Sequence, residues 1–201
     1  MRCLITDIGG VCVSNAYATM SETLNRRFGT DYLRAFLILR EEAVAFDEGR
    51  ITVGEFCMRV LDRLELNIDA GEFISILDSS IIPDRKVWSV LEQARDAGGV
   101  KIVALSNMPE HTWTMLKTTY DMDRLFDGVV LSYVVGIVKP DSRIFDAAIK
   151  VSGTTVKDCL FVDDAPENVA AAERRGIVSH LFRNAEGLVA FLKNNGIILR
   201  S

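Results

Sequence analysis

Short apolar segments alternate with helical segments along most of the chain, and this alternation restricts the fold more than any other feature. After Pro83 the pattern predicts strands at 101–106, 128–132, 159–163 and 178–182. Helices are predicted around them at 87–97, 110–119, 141–151, 167–175 and 185–194. Such alternation is typical of a mainly parallel sheet that helices cover on both faces. The sequence therefore predicts a Rossmann-like, doubly wound α/β core.

A first strand is predicted at 2–7, and the region from 15 to 82 then interrupts the alternation. The pattern in this region is helical throughout, with helices predicted at 16–28 and 32–46. A third helix begins at a capping box, the pattern in which Thr52 and Glu55 each bond to the other's backbone. A fourth begins near residue 69. The predicted sheet is thus split by a helical insert.

The size of the chain agrees with this organisation. Its 201 residues suit one domain that carries an inserted subdomain. About half of the residues are apolar (49%), which is enough to bury a substantial core. We therefore expect a core formed by residues 1–14 and 83–201, and a small helical cap subdomain formed by residues 15–82.

Composition excludes several classes of function. The net charge is −5 and there is no long basic run, so the chain lacks the clustered cations of a nucleic-acid-binding face. No apolar run reaches the roughly 18 residues that a membrane span requires. The four cysteines form no C-x-x-C pair, which argues against a zinc site and against a disulfide framework. We expect a cytoplasmic protein that is a monomer or a homodimer, with neither nucleic acid nor membrane as a partner.

Polar side chains stand at, or shortly after, the carboxyl ends of the predicted strands. They are Asp7, Ser106, Asn107, Lys139, Asp163 and Asp164. Each alone has an ordinary structural interpretation, since aspartates commonly cap helices and lysines are mostly exposed. In an open α/β sheet, however, the strand ends converge on one crevice in which ligands bind. The joint occurrence of these residues favours a functional site.

The chemistry of this set fits a phosphate ester. Carboxylates that lie close together need a hard cation, and Mg²⁺ takes oxygen ligands. The metal and Lys139 would hold a phosphate and offset the charge that develops in the transition state. Ser106 can donate a further hydrogen bond to a phosphoryl oxygen. An aspartate can itself attack the phosphorus and form a covalent intermediate.

Four motifs carry a resemblance to the haloacid dehalogenase-like hydrolases. The D-I-G-G-V segment that begins at Asp7 resembles the family's first motif, D-x-D-x-[TV], and V-A-L-S-N, which ends at Asn107, resembles the second. The K-P-D-S-R-I-F segment that begins at Lys139 is similar to the K-P-x-x-x-[IV]-[FY] form of members with a helical cap. The fourth motif, an acidic pair, lies in F-V-D-D-A-P-E-N, which ends at Asn168. The resemblance covers essentially the whole chain, and the helical insert corresponds to the family's small cap.

The resemblance implies a role for each matching residue. Asp7 would be the nucleophile and a magnesium ligand, with the backbone carbonyl of Gly9 and the side chain of Asp164 as further ligands. Two more residues, Asp163 and Asn168, would support the metal site. Ser106 and Lys139 would orient the phosphoryl group, and Asn107 would contact the substrate. The implied substrate is a small phosphorylated metabolite, with sugar phosphates as the default class.

Gly9 departs from the family's pattern. Phosphatases of the family usually carry a second Asp at this position, which protonates the leaving group and later activates water. General acid–base help is worth about 10²–10⁴-fold in rate. Three interpretations stay open: a cap residue or water supplies the proton, the substrate has a good leaving group, or turnover is slow or absent. An Asp at position 9 could also be disfavoured by the backbone angle of the glycine.

Two other functions compete with a phosphatase. A 2-haloacid dehalogenase would use the same Asp nucleophile without the second Asp, but such members need no magnesium and typically lack the acidic pair at Asp163 and Asp164. A non-catalytic binding protein would have kept the fold and lost turnover. The only two histidines, His111 and His180, are interpreted as structural, with His180 as a half-buried residue whose hydrogen bonds are satisfied.

Overall fold

In the computed structural model of the chain, which describes residues 2–200, five strands form one sheet. They are β1 (Arg2–Thr6), β2 (Val100–Ser106), β3 (Gly128–Leu131), β4 (Cys159–Asp163) and β5 (Val178–Leu181). The strand order is β3-β2-β1-β4-β5, and every neighbouring pair is parallel. This confirms the predicted α/β class and its parallel sheet.

The helices fall into two groups along the chain. Four follow β1 without an intervening strand: α1 (Ala16–Phe28), α2 (Tyr32–Asp47), α3 (Val53–Leu64) and α4 (Ala70–Ser79). The others alternate with the strands: α5 (Arg85–Asp96), α6 (Glu110–Tyr120), α7 (Ser132–Val135), α8 (Ser142–Ser152), α9 (Pro166–Arg174) and α10 (Ala185–Asn194). Two short 3₁₀ helices, Met122–Leu125 and Val156–Asp158, complete the described elements.

Helices cover both faces of the sheet. Because successive residues of a strand point to opposite faces, β1 contributes Leu4 to one apolar cluster and Ile5 to the other. The first cluster includes side chains of α5, α6 and α10, among them Trp88 and Trp113. The second includes side chains of α8 and α9. The sheet is therefore buried on both sides, and its strand ends are left to form a site.

The helices α1–α4 have an apolar cluster of their own, whose members all lie between residues 17 and 77. The rings of Phe46 and Phe56 stack within it at a centroid distance of 4.6 Å. The two chain connections to this insert run side by side, where Ser14 N donates to Ile82 O at 2.8 Å and Ser14 Oγ donates to Ser80 O at 2.6 Å. The division of the chain into a core and a cap at these residues stays a prediction.

The element ends follow local chemistry. The predicted capping box is present at α3, where Thr52 and Glu55 satisfy each other's backbone N–H groups. Asp141 caps α8, since it accepts from the backbone N–H of Arg143 at 2.9 Å. The strand predicted at 128–132 is one residue shorter in the structure, because Ser132 begins α7. Gly136, in the left-handed conformation, caps the end of α7. Among the described helices, none is long and apolar enough to cross a membrane.

Candidate active site

The carboxyl ends of β1, β2 and β4 bring the predicted site residues together. Asp7 directly follows β1, Ser106 is the last residue of β2, and Asp163 is the last residue of β4. Lys139 comes from the loop between α7 and α8, and its side chain is buried among these three strand ends. The structure therefore brings together residues that are as far apart in sequence as Asp7 and Asp163, because the parallel sheet places these strand ends at one edge.

Lys139 joins two of the carboxylates. Its Nζ lies 2.8 Å from Asp7 Oδ1 and 2.7 Å from Asp163 Oδ2, and it also donates to the carbonyl of Leu105 at 2.9 Å. The side chains of Lys139 and Asp163 are only 1% and 0% exposed. A buried ion pair is costly to desolvate, and removing one partner leaves an uncompensated charge. The three side chains therefore form one buried electrostatic unit.

The two oxygens of Asp7 differ in their surroundings. Oδ1 accepts from the backbone N–H of Ile8 at 2.7 Å and from Ser106 Oγ at 2.9 Å, in addition to Lys139. Oδ2 makes no hydrogen bond to any described residue and is not enclosed by the protein. The hydrogen bonds to Oδ1 thus fix the carboxylate and leave Oδ2 free to react or to bind a cation.

Asn107 and Asn168 hold their neighbours in place. The side chain of Asn107 accepts from the backbone N–H of Lys139 at 2.7 Å and donates to its carbonyl at 3.0 Å. Asn168, on α9, donates to Asp163 Oδ1 at 3.0 Å. Asn107 thereby sets the position of the lysine backbone, and Asn168 sets the orientation of the Asp163 carboxylate.

Three carboxylates are close enough to share a cation. Oxygen atoms of Asp7, Asp163 and Asp164 all lie within 4.8 Å of one another. All three donors are oxygens, which suits a hard cation such as Mg²⁺. Gly10 permits the arrangement, since it has a φ of +76° and a Cβ there would lie 2.2 Å from Asp164 Oδ2. The residues present therefore fit a divalent metal.

Charge and burial set the pKa values in this cluster. Burial raises the pKa of Asp7 to about 7; the neighbouring ammonium of Lys139 opposes this rise, and the charge of Asp163 adds to it. Burial and then Asp163 also raise the pKa of Asp164. For Lys139, burial would lower the pKa, but the charges of Asp163 and Asp7 outweigh it and hold the pKa above its ordinary value. The carboxylates thus crowd negative charge at a site that a cation would relieve.

A cavity of about 380 Å³ opens above this cluster, between the core and the helical insert. The end of the cavity nearest the core is lined by Asp7, Asn107, Lys139 and Asp164. Gly9 also lines the cavity, and a Cβ added to it would meet no atom within 4 Å. Gly9 is not in the left-handed conformation either. The expectation that its backbone angle disfavours an Asp is therefore wrong.

Three polar residues on helices of the insert, which the sequence did not single out, also line the cavity. They are Tyr17 on α1, and Arg40 and Asp47 on α2. Arg40 pairs with Glu167 of the core at 3.7 Å, and Tyr17 donates to Asp47 Oδ1 at 3.3 Å. One sequence signal points to Asp47: an acidic residue at a helix carboxyl terminus opposes the helix dipole.

The two histidines lie outside this cavity lining. His111 Nε2 lies 2.8 Å from Asp78 Oδ1, so it joins α6 to α4 of the insert, in keeping with a structural interpretation. His180 is half-buried and stacks on Phe191 at 4.9 Å. Its Nε2, however, is buried without a hydrogen-bond partner among the described residues, so the expectation of a satisfied histidine is wrong. The ring packs as an apolar surface, which explains its place in β5.

Comparison with known proteins identifies the family. The model of the haloacid dehalogenase-like hydrolases matches residues 1–176 of the chain. The chain belongs to this family. The D-I-G-G-V segment, Lys139 and the acidic pair, which carried the resemblance, all lie within the matched residues.

Two curated relatives of this family member are named as phosphatases. The chain is 32% identical over 96 residues to the sesquiterpene phosphatase astK of Aspergillus oryzae, which covers 48% of each protein. It is 29% identical over 157 residues to phosphatase MT3486 of Mycobacterium tuberculosis, covering 73% of the chain and 70% of that protein. The chain thus spans about half the length of the first of these relatives and more of the second.

Solved structures of similar fold are more distant in sequence. A HAD-like family hydrolase from Porphyromonas gingivalis has a TM-score of 0.76 at 21% identity, covering 97% of both chains. A HAD family enzyme from Bacteroides thetaiotaomicron, in complex with magnesium and inorganic phosphate, has a TM-score of 0.69 at 20% identity, covering 91% of this chain and 94% of that one. An L-2-haloacid dehalogenase from Xanthobacter autotrophicus has a TM-score of 0.67 at 16% identity, covering 98% and 84%. These likenesses show the shared fold.

Proposed function

We propose that this family member is a magnesium-dependent phosphoric monoester hydrolase that forms a phosphoryl intermediate on Asp7. The observation that carries the proposal is the buried unit at the floor of the cavity, in which Lys139 lies within 2.8 Å of both Asp7 and Asp163 beside the third carboxylate of Asp164. A cation and an ammonium at one end of a cavity form a strong receptor for a phosphate group. The two relatives that are named as phosphatases support the same chemistry.

The metal ligands follow from the carboxylate cluster. Asp7, Asp164 and the backbone carbonyl of Gly9 would hold Mg²⁺, with Asp163 supporting the site. When bound, the ion would neutralise charge on the phosphoryl oxygens and on the clustered carboxylates. The similar fold from Bacteroides thetaiotaomicron that contains magnesium and phosphate supports this choice of ion.

The first chemical step is an attack by Asp7 on the phosphorus atom. Oδ2, the oxygen without a protein hydrogen bond, forms the new bond to phosphorus while the bond from phosphorus to the leaving oxygen breaks. Ser106 and Lys139 hold Asp7 through Oδ1 and orient the transferred group, and Asn107 fixes the lysine and contacts the substrate. In the second step, water attacks the phosphorus and Asp7 leaves as a free carboxylate.

The cavity favours a small substrate. Its volume is about 380 Å³, and several of its lining side chains are apolar, including Val13, Val44, Leu77, Ile81 and Met108. Polar groups of the insert face the same space, as a sugar phosphate would require. A substrate panel should therefore hold sugar phosphates and also an isoprenoid monophosphate, since one relative is named a sesquiterpene phosphatase.

Dehalogenation of a 2-haloacid is the second candidate function. The glycine at position 9 and the similar fold of the Xanthobacter dehalogenase favour it. The three clustered carboxylates favour the phosphatase, because a dehalogenase that needs no metal has no use for them. Chloride release from 2-chloropropionate, measured with EDTA present, distinguishes the two.

Hydrolysis of para-nitrophenyl phosphate tests the proposed function. We expect magnesium-dependent release of nitrophenol that EDTA abolishes and that Asp7→Asn lowers at least about 10⁴-fold, since the attacking charge is lost. Asp69→Asn is the matched control, because Asp69 is an exposed cap of α4 and Asn caps a helix equally well. Full activity of Asp7→Asn would refute the nucleophile assignment. Absence of turnover by the folded wild type would shift the function to dehalogenation or to binding alone.

A further inference from the structure

The proposed reaction needs a proton donor that the core does not supply. When the bond to the leaving oxygen breaks, an alkoxide needs a proton, and the water of the second step must lose one. Gly9 has no side chain that could do either. For a substrate whose leaving group is poor, a titratable group elsewhere on the cavity wall would have to supply the proton.

Most titratable groups that line the cavity already have another task. Asp7, Lys139 and Asp164 form the phosphate end. Arg40 and Glu167 pair with each other at 3.7 Å. The remaining titratable residues of the lining are Tyr17 and Asp47, both from the insert.

Asp47 has one oxygen that is held and one that is open. Oδ1 accepts from the hydroxyl of Tyr17 at 3.3 Å. Oδ2 makes no hydrogen bond within residues 2–200 and yet is not enclosed by the protein, so it is open to the cavity that the residue lines. The residue as a whole is only 8% exposed. Burying a carboxyl group whose second oxygen has no hydrogen bond costs free energy, and the packing of the insert does not require such a group.

Hydrogen bonds tie Asp47 to the loops of the core that carry the site. The hydroxyl of Ser132, at the end of β3, donates to the backbone carbonyl of Asp47. The same hydroxyl accepts from the backbone N–H of Met108 at 2.9 Å, two residues after Ser106. Gly49 allows the close approach, since a Cβ there would lie 3.2 Å from the carbonyl oxygen of Tyr133. Asp47 is therefore held in a fixed place relative to the strand ends.

We propose that Asp47 is the acid–base group of this reaction and takes the place of the side chain missing at Gly9. The proposal rests on the phosphatase function proposed above. In the first step, the Asp47 carboxyl gives its proton to the leaving oxygen as the bond from phosphorus to that oxygen breaks. In the second, the Asp47 carboxylate takes a proton from water as the water oxygen bonds to phosphorus and the bond to Asp7 breaks. The second step thus restores the proton that Asp47 gave up in the first step, and the protons balance over each turnover.

The surroundings of Asp47 suit both halves of this cycle. Burial raises the pKa of Asp47 to about 7; the hydrogen bond from Tyr17 and the charge of Lys139 oppose the rise, and the charges of Asp7 and Glu48 add to it. Arg40 of the same helix also lines the cavity. A carboxyl that titrates near neutral pH is available both as an acid and as a base.

The test compares two substrates of similar size whose leaving groups differ. Phenyl phosphate needs a proton on its leaving oxygen far more than para-nitrophenyl phosphate does. We expect Asp47→Asn to lower kcat/KM for phenyl phosphate about 10²-fold or more, and for para-nitrophenyl phosphate less than about 10-fold. Asp69→Asn is the matched control, since Asp69 is the cap of α4, does not line the cavity and should leave the ratio of the two substrates unchanged.

A rescue experiment separates acid catalysis from a structural role. In Gly9→Asp/Asp47→Asn, an acid returns at a position where a Cβ meets no atom within 4 Å, and phenyl phosphate hydrolysis should recover at least about 10-fold over Asp47→Asn. If Asp47→Asn does not fold, Tyr17→Phe is the second variant. It removes a bond that favours the carboxylate, so the alkaline limb of the kcat/KM profile should move to higher pH.

Several results would overturn the proposal. Equal losses on the two substrates in Asp47→Asn would make Asp47 a structural or substrate-positioning residue. Unchanged kinetics, or an unmoved alkaline limb in Tyr17→Phe, would exclude the role. A wild type that hydrolyses para-nitrophenyl phosphate but not phenyl phosphate would show that no acid operates. A folded wild type that hydrolyses neither with magnesium would instead refute the phosphatase function itself.

Discussion

At the scale of single residues, the buried ammonium of Lys139 lies at the centre of the charged groups of the site. It contacts two carboxylates, and its backbone N–H and carbonyl are both fixed by hydrogen bonds with the side chain of Asn107. A lysine as buried as this one is stable only among compensating charges. Its position, and with it the end of the cavity at which we propose that phosphate binds, therefore depends on the neighbouring strand ends.

Gly10 offers a sharp test of the carboxylate cluster. A Cβ at this position would lie 2.2 Å from Asp164 Oδ2, and the φ of +76° is unfavourable for other residues. We expect Gly10→Ala to displace Asp164, to weaken magnesium affinity at least about 10-fold and to lower stability by roughly 1 kcal/mol. Magnesium titration of para-nitrophenyl phosphate hydrolysis measures the affinity, and urea unfolding measures the stability.

Gly9→Ala is the matched control for this prediction. It adds the same methyl group one residue earlier, where a Cβ would meet no atom within 4 Å. Its magnesium dependence should therefore resemble that of the wild type. If the two alanine variants bind magnesium equally well, the close contact between Gly10 and Asp164 plays no part in the metal site.

The sequence located the core residues of the site but missed those of the insert. Residues such as Asp7, Ser106 and Asp163 could be predicted to lie together, because parallel strand ends always share one edge of the sheet. Tyr17 and Asp47 lie on helices, where the apolar pattern shows which face is buried but not which polar residue meets the core. Their contact with the site depends on how the insert packs, which no local pattern encodes.

At the scale of elements, the end of α2 runs against the usual preference for helix termini. Its last turn has no basic residue and ends in Asp47, a buried carboxyl at the negative end of the helix dipole. The Ser132 hydroxyl that bonds its carbonyl fixes this end to the core. The helix therefore carries a locally unfavourable residue at the place where the insert meets the site.

This carboxyl should make stability depend on pH. Because the folded pKa of Asp47 is raised to about 7, its contribution to stability is present in full below the unfolded pKa and is lost as pH rises through 7. The Asp47→Asn variant has no carboxyl at this position, so it does not lose this stability as the pH rises. Relative to the wild type, the variant should gain up to about 4 kcal/mol in unfolding free energy between about pH 4 and pH 8.

Urea unfolding of both proteins at about pH 4 and about pH 8 measures this difference, with the other acidic groups common to both. The groups that act on Asp47 in the wild type, Tyr17, Asp7, Lys139 and Glu48, are present in both proteins, as is Arg40, which lines the same cavity. A difference in unfolding free energy that stays constant with pH would mean that Asp47 titrates normally in the folded chain.

Element types could be predicted from the sequence more easily than element ends. The helices at Ala16–Phe28 and Ala185–Asn194 have the predicted bounds, because caps mark them: Asn15 and Gly29 for the first, and Asn184 before the second. Ser132–Val135 was missed, since four residues are too few to show helical periodicity. Ser132 was therefore predicted as a strand residue, although its hydroxyl links the core to the insert.

At the scale of the whole molecule, the site lies where two apolar units meet. The sheet with its helices buries one set of side chains, and α1–α4 bury another. The contacts that cross between them include the exposed ion pair of Arg40 with Glu167 and the part-buried hydrogen bond between His111 and Asp78. Exposed pairs of this kind add at most about 1 kcal/mol each. The cavity therefore depends mainly on the few buried contacts, such as Ser132 to Asp47.

Magnesium should stabilise the whole fold. A cation relieves the repulsion among Asp7, Asp163 and Asp164, which only the folded chain brings within 4.8 Å. At a concentration about 100 times its Kd, it should add about 2.7 kcal/mol and raise the Tm by roughly 5–10 °C. Thermal unfolding with increasing magnesium measures the shift.

Two variants test whether the carboxylate cluster is the site of this stabilisation. Asp164→Asn removes one charge of the cluster and should lose most of the shift in Tm, whereas the exposed Asp69→Asn should keep it. An equal shift in the wild type and in Asp164→Asn would place the stabilising ion elsewhere on the molecule.

The proposed nucleophile is tested most directly by trapping the phosphoryl group on Asp7. The protein is mixed with magnesium and para-nitrophenyl phosphate, quenched in acid within the first turnovers, and digested for mass spectrometry. We expect one added phosphoryl group on the peptide that contains Asp7, present in the wild type and absent in Asp7→Asn. Phosphate release at the wild-type rate with no phosphoryl group on Asp7, or a phosphoryl group on another residue, would contradict it.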